Sequence, residues 1–117
     1  MIFIMDSADP LILVLSTFPD MNKARQIGTA LIERQLVACV NFVPGILSVY
    51  RWENEIQQDD EVLGVFKTRR ALFLKVEATL TELHPYQTPE IVSLDVAQAS
   101  KAYGSWIAQV TGEDVPG

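Results

Sequence analysis

Three short stretches and a few strand-end residues carry the side chains capable of chemistry. The chain's one imidazole stands in His84-Pro85-Tyr86-Gln87-Thr88-Pro89-Glu90, with a phenol and a carboxylate close behind it. Such a loop lines a pocket or coordinates a metal; alternatively, His84 rests at the negative end of a helix and the two prolines shape a rigid turn. The one cysteine lies in Ala38-Cys39-Val40-Asn41. A lone cysteine in an apolar strand is a small buried hydrophobe, or a thiolate ligand for a soft metal such as Cu(I). Tyr50-Arg51-Trp52-Glu53 places aromatic residues beside a turn, where they pack across an interface or cap a ligand cleft. Lys67 ends a strand and serves as a cleft cation or a solvated terminus. Asp59, Asp60 and Glu61 offer oxygen to a hard cation, although a charged turn is the commoner use of such a run.

Several chemistries are excluded. The sequence has no GxGxxG, no GxxxxGK, no GxSxG and no HExxH. One histidine and one cysteine cannot build a Cys/His zinc site within a single chain. The 9 basic residues are scattered among 15 acidic ones, for a net charge of −6. No basic stripe exists for a phosphate backbone or an anionic membrane, so neither nucleic acid nor membrane is an expected partner. A single cysteine cannot form an intrachain disulfide, and no apolar run has the length of a membrane span, so the expected compartment is the cytoplasm. With 117 residues, 49% of them hydrophobic and 21% charged, the chain makes one ordered domain with a slight apolar surplus.

These residues need elements to position them. Residues 1–10 read as a loosely attached N-terminal extension, 11–112 as the folded domain and 113–117 as a tail. Leu11 to Phe18 is a continuous aliphatic run, expected as a buried central strand. Asp20 caps a helix with Ala24, Ile27 and Leu31 on one face and Gly28 beside it, allowing close approach to the sheet. Val37 to Trp52 is a long strand interrupted at Pro44-Gly45 by a bulge or bend. Residues 53–60 read as a polar turn, 61–68 as the returning strand, and about 70–84 as a helix with Phe73, Val76, Leu80 and Leu83 inward. Residues 90–96 form a fourth strand. A final helix from about Ser100 carries Tyr103, Trp106, Ile107 and Val110 on one face, with Gly112 past its end.

The expected fold class is α+β: a ferredoxin-like βαββαβ sandwich with an extra C-terminal helix and a long β2–β3 hairpin. Fifteen extended residues span about 50 Å. A compact domain of this size has a radius of gyration near ~13 Å, hence a diameter of about 35 Å. The hairpin therefore overshoots its own domain or bends sharply, and overshooting leaves apolar edges that self-association covers.

Several motifs in order resemble the CutA divalent-cation tolerance proteins. They are Ala38-Cys39-Val40-Asn41, Val43-Pro44-Gly45, Ser48-Val49-Tyr50, Trp52-Glu53, Glu61-Val62, Lys67-Thr68-Arg69, His84-Pro85-Tyr86, Pro89-Glu90-Ile91 and Trp106-Ile107. The match runs over about residues 11–110. The resemblance implies a cytoplasmic homotrimer of ferredoxin-like subunits, similar to PII signalling proteins, with no enzymatic reaction and no required cofactor. It also implies tolerance to divalent ions, copper or another such cation being the expected partner. An intersubunit ligand cleft of Trp52, Lys67, His84, Tyr86 and Glu90 follows from it, with Cys39 and His84 as metal positions. The alternative is a PII-like module that binds a small anion in that cleft through Lys67. Three positions depart from the pattern: Arg51 replaces a common aromatic, Asn54-Glu55 a Gly-Lys-like turn, and Gln87 a frequent acid. The last removes a carboxylate near His84.

Overall fold

The aliphatic run becomes strand β1 (Leu11–Phe18), which lies inside a four-stranded antiparallel sheet; the computed structural model describes residues 9–112. After it come helix α1 (Met21–Glu33), the hairpin strands β2 (Cys39–Trp52) and β3 (Glu55–Arg69), and helix α2 (Phe73–Leu83), entered through a 3-10 turn at Arg70–Leu72. Strand β4 (Val92–Asp95) and helix α3 (Lys101–Val110) complete the fold. The strand order is β2-β3-β1-β4, so each helical crossover skips one strand. That is the expected split βαβ arrangement.

Strand alternation divides the sheet into two unlike faces. Ile12, Val14, Val62 and Phe66 point to the side covered by α1 and α2, where Ala24, Ile27, Leu31, Val76 and Leu80 meet them in one core. Asp20 caps α1 by accepting from the Lys23 backbone N–H at 2.8 Å. Gly28 is the close-approach point: a Cβ there would stand 2.8 Å from Cζ of Phe42. In α2, Val76 and Leu80 are buried, while Phe73 and Leu83 pack against the core only in part. The opposite face carries Leu13, Leu15, Leu63 and Val65, half-buried, beside the exposed Val92 and Leu94. Helix α3 covers only one end of it. Ile107 is buried, whereas Tyr103 and Trp106 remain exposed.

The hairpin is longer than the sequence suggests. Residues 53–60, expected as a turn, are mostly strand: the turn is Glu53-Asn54 alone, with φ of 50° and 67°. Two successive positive φ values mark a type I′ turn, whose twist matches that of paired strands. The run misleads because this part of the ribbon is largely exposed on both sides, so its polar residues show no alternation. The expected irregularity at Pro44-Gly45 is present as a register shift between Val43 and Ile46, with Gly45 at φ 73°. The ribbon does overshoot. The molecule measures 56 × 25 × 23 Å, with a radius of gyration of 15.8 Å.

Residues 1–8 of the expected extension and the tail 113–117 lie outside the described residues. The end of the extension is not loosely attached. Asp9 pairs with Arg69 at 2.9 Å and accepts from the Ala71 backbone N–H at 3.1 Å. Arg69 also donates to the Thr111 hydroxyl and carbonyl, so one guanidinium clasps both ends of the described chain.

Candidate functional site

Where the ribbon leaves the body, the loop after α2 folds against it and a cavity of about 640 Å³ opens between them. Its walls include Tyr50 and Trp52 from β2, Asp59 and Glu61 from β3, and Tyr86 and Glu90 from the loop. Beyond the bulge, Ser48, Tyr50 and Trp52 share a ribbon face with Glu61, Asp59, Gln57 and Glu55, because paired antiparallel residues point to one side. Trp52, Tyr86 and Glu90 thus line one cavity within a single chain.

Two phenols organise the carboxylates. Tyr86 donates to Glu61 Oε2 at 2.6 Å, and Tyr50 donates to Asp59 Oδ2. Burial, then the bond to Glu61, holds the Tyr86 hydroxyl well above the usual phenol range. The bond to Asp59 raises Tyr50 likewise. Both phenols keep their protons at neutral pH and act as donors. Glu61 is only 8% exposed, so its bond to Tyr86 replaces hydration that the carboxylate loses.

His84 stands behind this wall and is not part of it. It is 7% exposed, stacks on Phe18 with ring centroids 5.0 Å apart, and touches the Tyr86 ring at 4.7 Å. Its Nε2–H donates to the Thr17 carbonyl at 2.8 Å, while Nδ1 accepts from the Tyr86 backbone N–H at 3.2 Å. These partners fix the neutral tautomer. Burial lowers its pKa, against the opposing pull of the Thr17 carbonyl and Glu61. A metal ion would have to displace one of the two hydrogen bonds. What His84 does in this geometry is position Tyr86.

Lys67 and Cys39 lie elsewhere. They face each other across β2 and β3, level with Leu13 of β1, whereas His84 is bonded at Thr17. Four residues of strand, about 13 Å, separate the two places. There the Lys67 ammonium donates to Asn41 Oδ1 and stands 3.7 Å from Cys39 Sγ, and the Tyr103 hydroxyl lies 3.4 Å from the same sulfur. Within one chain, Cys39 and His84 are not brought together, nor does Lys67 reach the cavity. Among the described residues, no group of three or more His, Cys, Asp or Glu is arranged to hold a metal ion.

Asp59 and Glu61 were readable as oxygen donors but not as partners of Tyr50 and Tyr86. Their spacing of two residues places them on one face only once residues 55–60 are assigned to a strand.

The geometry can be set beside known proteins. The family described as CutA1 divalent ion tolerance protein matches residues 12–110. A divalent-cation tolerance protein CutA from Thermus thermophilus is 44% identical over 99 residues, which is 85% of this chain and 96% of that one. A chloroplastic CutA protein from Arabidopsis thaliana is 35% identical over 102 residues, 87% of this chain. This chain spans about half the length of the Arabidopsis, mouse and human relatives. The solved CutA1 of Thermus thermophilus superposes with a TM-score of 0.84 at 43% identity, covering 87% of this chain and 99% of that one. The CutA1 of Oryza sativa superposes with 0.88 at 34% identity, covering 93% and 100%. Sequence motifs, strand order and superposition agree over the same residues, and the chain belongs to the CutA divalent-cation tolerance family.

Proposed function

We propose that the chain is a homotrimeric, cytoplasmic divalent-cation tolerance protein that responds to metal ions, binds copper, and catalyses no reaction. The observation that carries this reading is the family match over residues 12–110, in a family described by tolerance to divalent ions. The trimer is supported by the sheet face that α1 and α2 leave uncovered and by a ribbon that extends the molecule to 56 Å. Apolar surface of that kind is ordinarily buried against a partner. The compartment has thinner support, because the Arabidopsis relative is described as chloroplastic.

For copper, Cys39 is the soft donor, on the uncovered face beside Asn41 and Tyr103. His84 joins it only by releasing a hydrogen bond and only from a different place, so the two act at separate sites or from different subunits. An anion held by Lys67 has less support, since that ammonium already engages Asn41 and the cavity walls are acidic.

Copper affinity measured in competition with a chelator tests the metal reading. Cys39→Ala or His84→Ala should weaken it about tenfold or more. Unchanged affinity in both single variants and in the double variant contradicts it.

A further inference from the structure

The cavity beside the ribbon has a chemistry that neither the copper site nor an anion site uses. We propose that it binds a linear aliphatic diamine or polyamine, independently of the copper reading. Its volume of about 640 Å³ lies in the range of small-molecule sites and far exceeds what one ion fills. Asp59, Glu61 and Glu90 line it, and none of its lining residues is Lys, Arg or His. Within one chain the charge inside is therefore uncompensated, which favours a cation.

The arrangement favours an extended organic cation over a compact metal ion. No three acidic, His or Cys side chains among the described residues converge as metal ligands. Asp59 and Glu61 are instead two residues apart on one face of β3, about 7 Å along the strand. A short methylene chain bridges that interval and puts an ammonium at each carboxylate. Tyr50 and Tyr86 each occupy one oxygen of these carboxylates and leave further lone pairs for N–H donors. Tyr50, Trp52 and Tyr86 supply aromatic walls for the methylene stem and attract the ammonium groups through their ring faces. Trp52 and Tyr50 are both 41% exposed in the single chain, so no element of their own chain closes these walls. The ligand class follows from the combination: separated carboxylates, aromatic walls and no competing cation from the same chain.

Calorimetric titration of the full chain with spermidine tests this. Saturable binding is expected, weakened about tenfold by the exposed pair Asp59→Asn/Glu90→Gln and likewise by Trp52→Ala. The distant pair Glu33→Gln/Glu77→Gln should leave it unchanged, and butylamine, with a single ammonium, should bind much more weakly. No saturation at millimolar spermidine overturns the proposal. So does equal weakening by the distant pair, which would mean general attraction to an acidic surface, or equal affinity for butylamine. Copper titrated into the same protein separates the two readings. Copper binding without spermidine binding overturns the amine site alone, and spermidine binding without copper binding overturns the copper reading alone.

Discussion

The two faces of the sheet are built from the same strands and from alternate residues of the same runs, yet they end in different environments. Ile12, Val14, Val62 and Phe66 are almost completely buried under two helices, whereas Leu13, Leu15, Leu63 and Val65 are half-buried and flanked by exposed Val92 and Leu94. Composition does not distinguish the faces, since both are aliphatic. What differs is the cover. The first face makes the single-chain core, and the second has the chemistry of an interface without an element of its own chain over most of it. The apolar surplus of the sequence therefore lies partly on a face that its own core does not use.

The sharpest way to break this contrast is to remove a large side chain from the covered face. Phe66 packs against Phe18 and Phe42 at centroid distances of 6.2 and 6.3 Å and is fully buried. Phe66→Ala should lower unfolding stability by about 3–5 kcal/mol in denaturant titrations. A loss below about 1 kcal/mol would mean that this face is not the core.

A smaller effect probes the junction between core and cavity. His84 has a folded-state pKa below its ordinary 6.5, so the unfolded chain binds its proton first as pH falls. Its contribution is complete at neutral pH and is lost as pH falls through 6.5 towards the lowered folded-state value. The slope cannot exceed about 1.4 kcal/mol per pH unit for one proton. Protonation also puts a donor at Nδ1, against the Tyr86 N–H that it otherwise accepts. Unfolding free energies across this range should fall more steeply for the native chain than for His84→Gln. Parallel profiles would show that the imidazole is not held neutral.

Much of the fold was legible because its signals are local. The aliphatic run before Pro19 and the Asp20 cap identify β1 and α1 without tertiary information. The ribbon was harder to read: Glu55 to Asp60 pair with β2, but exposure on both sides removes the alternation that marks a strand. The site was legible only in part. Trp52, Tyr86 and Glu90 meet, since the loop after α2 returns against the ribbon base. Within one chain Lys67 does not join them, because the register places it level with Leu13 and the cavity lies at Thr17. Register is a long-range property that residue types do not encode one position at a time. His84, also expected as a site residue, lies behind the cavity wall and accepts the Tyr86 backbone N–H at Nδ1.

The proposed trimer requires the uncovered face to be buried between identical chains. Light scattering at micromolar concentration tests it most directly. The account predicts a particle of three times the chain mass, and dissociation on Val65→Asp with the helical content of the core retained. A native chain that scatters as a monomer would contradict it, as would an assembly unaffected by a charge at Val65.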